Sequence, residues 1–405
     1  MSYHQRLYGL DKKGTYKEWN ISVLPCADME GQYVIEVTYG KEGGAMTPQY
    51  TVIKAGKQGR SVYEQAVSEA RSKVSKQHDK GYRETKEELN DLPVMAMLAK
   101  AMDPAKYKAG YGSPKLDGVR CMAKMENGEV TLTSRMGKPY NVPHIIKELQ
   151  ASMKEGEVWD GELYVHGEVL EDINSAVKRE DAYDKWMKAE KALDAFTFAN
   201  ESDNAEYDKL CKAVDDASYI HGLRQRMQFH VFDIVKDGLT FKERLVEFQF
   251  KAETYVGRDI QFVEYVFCET FDDLKKLHDV YRQAGYEGIM WRSPEGLYES
   301  GKRSNGLQKY KEFFDMEMEI VDYVEDKNGN AVLVVFDPVP QERLEVGYGD
   351  FDARKDQIAN FDKYKGKWLT VQIQSRFKKT LRAQFPTGKM IRAGRVIGGV
   401  FIPEE

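Results

Sequence analysis

The chain has 405 residues, 41% hydrophobic and 31% charged, with a formal net charge of −6; that length suggests two to four compact units, each with its own core. No run approaches the roughly 18 apolar residues of a membrane span, and the opening MSYHQRLYGLDKKG lacks the apolar region and cleavage site of a secretory signal, so an intracellular protein with no membrane partner is expected. Cys26, Cys121, Cys211 and Cys268 form no zinc-type cluster, which fits free thiols in a reducing compartment.

From the N-terminus, QYVIEVTYG and PQYTVIK on either side of KEGGAM read as a β-hairpin. Tyr63, Ala66, Ala70 and Val74 then recur at helical spacing, giving a small α+β module over 1–86. Asp91-Leu92-Pro93 reads as a linker or helix cap. Residues 94–312 alternate short β runs (CMAKM, VTLTSR, WDGELYV, FHVFDIV, GIMWR) with helical stretches, as in a mixed α/β domain. Within it, 170–228 is helical and acidic, with no motif that carries chemistry, and reads as an inserted cover. From Met316 onward, MEIVDYV, AVLVVFD, RLEVGYG, WLTVQIQ and TLRAQF are short strands with Gly and Asp turns, predicting a small OB-like barrel over 313–405. The acidic average argues against nucleic acid, but charge is uneven: residues 1–86 carry net +4, 312–359 net −9 and 360–405 net +7.

The string Ser113-Pro114-Lys115-Leu116-Asp117-Gly118-Val119-Arg120 sets an amine beside a carboxylate, a flexible turn and a guanidinium suited to oxygen-rich ligands. Alone, it is also what a solvated turn looks like. It is followed in order by Ser134-Arg135-Met136-Gly137, Asp160-Gly161-Glu162-Leu163-Tyr164, Phe229 to Asp233, Glu287-Gly288-Ile289-Met290 and Leu307 to Phe313. Lys309 and Lys311, two apart in a β run, share one face.

This ordered series resembles the covalent nucleotidyltransferase superfamily of ATP-dependent DNA ligases, RNA ligases and capping enzymes, over about residues 94–400. The resemblance implies a multidomain α/β and β protein: a mixed α/β nucleotidyltransferase (ATP-grasp-like ligase) domain, a C-terminal OB-fold barrel and the N-terminal module. It implies that Lys115 attacks the α-phosphate of ATP and carries AMP covalently. Its pKa would have to fall from about 10.4 through desolvation and nearby cations, with Lys309 and Lys311 as those cations. By the same resemblance Asp117 shapes the lysine's surroundings, Ser113, Arg120 and Arg135 belong to the nucleotide or phosphate site, and Phe232 and Met290 sandwich adenine. Glu162 and Glu287 contact ribose and place Mg2+, the ion suited to hard oxygen ligands.

Several features narrow the family. VGYGDFDARKDQI and GKWLTVQIQ resemble the OB domain of DNA ligases, and LRAQFPTGKMIR resembles their terminal motif, with Arg382, Phe385, Pro386 and Arg392 in register and Arg392 at the nucleotide. Its aromatic and proline lie farther from the arginine than in the common form. NAD-dependent ligases carry a four-cysteine zinc site that this chain lacks. An ATP-dependent enzyme sealing nicked double-stranded DNA, acting as a monomer, is the reading this supports; an RNA ligase and an inactive nucleic-acid-binding protein are the alternatives. Residues 1–86 resemble a WGR module, a DNA-binding unit, through VTYGKEGGAM, the helix with Lys73 and Lys76, and Lys80-Gly81-Tyr82. Tyr39-Gly40-Lys41 stands for the defining Trp-Gly-Arg, keeping an aromatic and a cation but not the guanidinium fork.

Overall fold

The structure, a computed structural model, describes residues 3–11, 14–27, 29–89, 94–197, 204–377, 380–397 and 400–404. The predicted linker residues Asp91, Leu92 and Pro93 lie outside these.

Strands β1 (Tyr3–Leu10), β2 (Tyr16–Pro25), β3 (Tyr33–Lys41) and β4 (Met46–Ile53) pair in sequence order as an antiparallel sheet. The expected hairpin is β3–β4, with Tyr33 opposite Ile53. Helix α1 (Val62–His78) starts at a capping box in which Ser61 and Glu64 satisfy each other's backbone N–H. It buries Ala66, Ala70 and Val74 against Leu7, Ile21 and Ile35, so the α+β expectation for this segment matches the observed elements.

The middle of the chain forms two further sheets. In order come β5 (Leu98–Ala101), β6 (Gly110–Lys115), β7 (Val119–Glu126), β8 (Glu129–Ser134), β9 (Pro139–Tyr140), α2 (Pro143–Ser152) and β10 (Val158–Tyr164). Next are α3 (Leu170–Lys178), α4 (Ala182–Asp194), α5 (Asn204–Gln225), β11 (Gln228–Ile234), α6 (Phe241–Thr254), β12 (Ile260–Phe262) and β13 (Val266–Cys268). Helix α7 (Phe271–Gln283), β14 (Gly288–Arg292) and β15 (Arg303–Tyr310) complete the series. One sheet runs β12-β11-β10-β7-β8-β9 and the other β13-β6-β14-β15-β5. Asn127 and Gly128, both at positive φ, make the two-residue turn between β7 and β8.

The core of this region holds Trp159, Leu163, Phe229, Val231, Leu245 and Phe248, with Ile173 and Leu223 from α3 and α5. The 170–228 segment is therefore not an inert cover: its first helix packs into the core, because Ile173, Ala176 and Val177 share one face.

Beyond β15, β16 (Phe314–Glu325), β17 (Ala331–Asp337), β18 (Glu342–Val346), β19 (Trp368–Ile373) and, after short pairings, Thr387–Arg392 form a five-stranded antiparallel sheet over Met318, Ile320, Leu333, Val335 and Val371. Among the described residues it stays open, with β18 and Thr387–Arg392 as unpaired edges, so the expected OB-like barrel is not closed here.

At Gly161 there is no room between β10 and β11 for a side chain: an added Cβ would lie 2.5 Å from the His230 carbonyl oxygen and 2.6 Å from the Phe229 ring. Gly161→Ala should therefore cost about 1–3 kcal/mol. Gly222→Ala, in α5 with nothing within 4 Å, should add about 0.5–1 kcal/mol through helix propensity. Urea midpoints of the two variants should move in opposite directions; a midpoint for Gly161→Ala equal to wild type would contradict the packing described.

Candidate active site

A cavity of about 850 Å³ is lined by residues of both central sheets. Register places its groups in rows. Ser113 on β6 lies opposite Met290 on β14, which lies opposite Lys309 on β15; Arg120 on β7 lies opposite Glu162 on β10, which lies opposite His230 on β11. Lys115, Arg135 and Phe232 also reach the cavity.

Phe232 arrives there by a local irregularity. Asp160 pairs with Asp233 but Gly161 pairs with Val231, so Phe232 is the extra residue of a β-bulge. A bulge re-aims a side chain that strict alternation would direct elsewhere. The Arg120 guanidinium sits 4.5 Å from the Phe232 ring centroid, covering one of its faces.

Arg120 is otherwise committed. Its Nε donates to Asp160 Oδ1 at 2.6 Å, Nη2 donates to the other Asp160 oxygen and to Met97 O at 3.0 Å, and Tyr298 Oη donates to Asp160 Oδ2 at 2.7 Å. With a ring and a buried carboxylate as partners, Arg120 is held against Phe232 while it lines the cavity, where it was expected at the ribose or phosphate. Behind the bulge, buried Asp233 accepts two bonds from Arg244, at 2.9 Å each, and one from Arg292, at 2.5 Å. Arg292 belongs to β14, so this ion pair ties the two sheets together at the cavity.

At the other end, Glu287 stands between two lysines: Lys115 Nζ donates to one carboxylate oxygen and Lys311 Nζ to the other. Glu287 N also donates to Lys115 O at 3.0 Å, fixing the two backbones. Burial pushes the Lys115 ammonium below its ordinary value, while the charges of Glu162 and Asp117 oppose that shift. Burial, then the Lys115 charge, lowers Lys309, and the same two causes bring Lys311 down to about 8. Burial raises the Glu162 carboxyl, countered by Lys115 and Arg120 and by a 2.8 Å bond from Gly118 N.

Most of the predicted residues thus converge. Ser113, Lys115, Arg120, Arg135, Glu162, Phe232, Met290 and Lys309 line the cavity; Glu287 and Lys311 meet Lys115, and Asp117 acts on it through charge. Arg392 is the exception: it sits in the edge strand Thr387–Arg392, opposite Trp368, and pairs with Glu317 at 3.8 Å, outside the cavity lining. Arg382 likewise pairs with Glu342. As metal ligands both expected residues offer hard carboxylate oxygens that suit Mg2+: Glu162 lines the cavity and accepts from Gly118 N, and Glu287 accepts from both lysines.

Sequence reasoning gave no role to Asp160, Asp233, Arg292 or Tyr298, whose partners are remote in sequence. It also missed the α3 wall, where Leu170, Asn174, Val177 and Lys178 line the cavity, and Gln374, whose Nε2 donates to Glu287 Oε1 at 3.3 Å from beyond β19. Only Asp160 and Asp233 carried a signal, as buried acids beside the glycine and phenylalanine of their strings.

Two facing sheets around a cavity lined by Lys115, Lys309, Arg120 and Phe232 define a mixed α/β domain. A family model described as ATP dependent DNA ligase domain matches residues 93–311, more than half of the chain, and the chain belongs to that family. It is 27% identical over 231 residues to a DNA ligase of Enterobacteria phage T4, covering 52% of this chain and 46% of that one. It is 25% identical over 291 residues to one of Archaeoglobus fulgidus, covering 68% and 47%. With a DNA ligase of African swine fever virus (isolate Pig/Kenya/KEN-50/1950) it shares 25% identity over 368 residues, 84% and 79% of the two chains. The chain thus spans about half the length of the phage and archaeal relatives. A solved structure described as "DNA binding with a minimal scaffold: Structure-function analysis of Lig E DNA ligases" shares the fold, with TM-score 0.54 and 20% identity over 74% of this chain and 100% of that one. Another, "Pmar-Lig_PreS3", gives TM-score 0.55 at 19% identity, covering 82% and 72%.

Because Lys311 is held near 8, its positive charge is present below that pH and lost above it. Where the reaction needs that charge, the rate should fall as pH rises through about 8. Lys311→Arg, whose guanidinium does not titrate, should move the falling limb of the pH–rate profile above pH 10, within roughly the range that arginine stays charged. An unchanged falling limb would assign it to another group.

Proposed function

We propose that the chain is an ATP-dependent DNA ligase, sealing a 5′-phosphate to a 3′-hydroxyl at a nick through a lysyl-AMP intermediate. The observation that carries this is the Lys115–Glu287–Lys311 cluster at the end of a cavity that also holds Phe232, Met290 and Lys309. Adenine would lie on the face of Phe232 that Arg120 leaves uncovered, and the α-phosphate beside Lys115.

Lys115 passes one proton to Glu287 and attacks the α-phosphorus; the N–P bond forms as the bond to pyrophosphate breaks, and the second proton leaves with pyrophosphate. Lys309 and Lys311 offset charge that grows on the phosphoryl oxygens. A DNA 5′-phosphate oxygen then bonds to the AMP phosphorus as the N–P bond breaks, and protonated Glu287 returns its proton to the departing Lys115 amine. The 3′-hydroxyl attacks that activated phosphate, loses its proton and releases AMP. Glu162 would hold Mg2+ together with nucleotide phosphates, which supplies charge neutralisation to the transferring group.

The domain division belongs to the same reading: 1–86 as a DNA-contacting, WGR-like module, 94–312 as the adenylyltransferase domain and 313–405 as an OB-type domain. It is supported by three separate hydrophobic clusters, one under each region. Lys138 of the catalytic region pairs with Asp79 at the end of α1 at 3.6 Å, which sets the N-terminal unit beside the Arg135 turn.

With ATP labelled on the α-phosphate and Mg2+, wild type should become labelled and Lys115→Ala should not. The label should discharge on nicked DNA faster than on a matched nicked RNA duplex. Discharge on RNA alone would favour an RNA ligase, and absence of label would sink the covalent mechanism.

A further inference from the structure

Two segments that line the cavity take no part in the chemistry of Lys115: the turn between β8 and β9, with Arg135 and Lys138, and one face of α3. We propose that Asn174 and Lys178 of α3, together with Arg135 and Lys138, form a binding site for the backbone phosphates of a DNA strand. This rests on the ligase reading and gives it residues from the helical segment 170–228.

Both segments are fixed by their own structure. Leu170, Asn174, Val177 and Lys178 share a helix face, and all four line the cavity. Ile173, Ala176 and Val177 seat that helix in the core, so Asn174 and Lys178, one turn apart, are carried on a rigid element. In the turn, Ser134 Oγ accepts from Met136 N at 3.3 Å and from Lys138 N at 3.0 Å, with Gly137 at positive φ.

Helix α5 fastens the two segments together. Arg224, 8% exposed, donates through Nη1 to Ala176 O at 2.9 Å and Val177 O at 3.1 Å, and through Nη2 to the carbonyl of Asn141, the residue after β9. The last carbonyls of a helix repel an anion; here a guanidinium occupies two of them beside Lys178. Glu180, two residues further on, accepts from Asn141 Nδ2 at 2.9 Å. Among the described ion pairs neither Arg135 nor Lys178 has a carboxylate partner, and Lys138 reaches Asp79 only at 3.6 Å. Uncommitted cations and a side-chain amide in one cavity wall suit phosphate oxygens.

The surroundings favour a strand over the phosphate tail of the nucleotide. The Lys138–Asp79 contact sets this wall beside the end of α1, where Lys76 and Lys80 are exposed. The cations therefore continue out of the cavity onto the N-terminal unit. A polymer with one charge on every phosphate matches such a row, and contacts of this kind hold a strand in place without reading its bases.

Binding of a fluorescent nicked duplex to the full chain, without ATP, is followed by anisotropy between about 50 and 200 mM salt. Lys178→Ala should weaken binding by roughly tenfold at the low end and reduce the slope of log K against log salt by about 1. Lys178→Arg should keep the wild-type slope, and Asn174→Ala should weaken binding without altering it. Lys188→Ala, at an exposed position of α4 outside the cavity lining, controls for net charge. Lysine adenylylation without DNA gives the KM for ATP. An equal loss of slope in Lys178→Ala and Lys188→Ala would reduce the effect to net charge. A KM for ATP raised in Lys178→Ala with DNA binding intact would assign the site to the nucleotide's phosphate tail, and wild-type affinity in the Lys178→Ala, Asn174→Ala double variant would leave no site; each overturns the proposal. Failure of the ligase reading would show as absence of label in wild type, whereas failure here would show as variants that bind DNA like a wild type that still takes up and discharges AMP.

Discussion

One carboxylate shared by two lysines is the constraint around which the site is arranged. Glu287 can meet Lys115 and Lys311 together only because β14 lies between β6 and β15, and because Glu287 N is bonded to the Lys115 carbonyl at the point where the strands part. Each lysine alone would face a large desolvation cost, which the shared carboxylate offsets while leaving the amines less basic than in water. An amine that must act as a nucleophile near neutral pH needs this compromise: burial to lower its proton affinity, and an acceptor within reach when the proton leaves.

Two ion-pair networks hold the cavity wall around Phe232. Arg120, gripped by Asp160 and Tyr298, covers one face of Phe232, while Asp233 binds Arg244 and Arg292 immediately after the bulge that turns Phe232 inward. The carboxylates at the centre of both networks, Asp160 and Asp233, are buried. Removing one partner from such a pair typically costs about 3–5 kcal/mol because the other charge is left unpaired. The ring is thereby positioned before any ligand arrives, and Arg292 fixes the separation of the two sheets that it and the lysines line.

The sequence made a large part of this legible, for physical reasons that vary by element. The β3–β4 hairpin and α1 were visible because alternation and helical periodicity each persist over most of their length. Lys115, Glu162, Phe232, Met290 and Lys309 were legible as an ordered set, because family resemblance specifies positions even where each short string is unremarkable. What escaped depends on contacts distant along the chain. The partners of Arg120, Asp160 and the Phe232 ring, are 40 residues and more away, so its place against the ring was not visible from its own string. Leu170 and Val177 read as part of an acidic insertion until their shared face is set against the core. Gln374, 87 residues from Glu287, reaches it only through the placement of the C-terminal sheet. Arg392 was assigned by register within a motif that departs from the common spacing, and the edge strand carries it to Glu317 instead.

The proposed role of Glu287 as acceptor of the Lys115 proton is tested most directly by single-turnover rates of lysine adenylylation across pH for wild type and Glu287→Gln. With the carboxylate in place the acceptor for the Lys115 proton is supplied within the site, so the wild-type rate should not track hydroxide between about pH 6 and 8. Without it the rate should drop by roughly 10²–10⁴ and rise in proportion to hydroxide. A Glu287→Gln profile that parallels wild type at a similar rate would contradict the account.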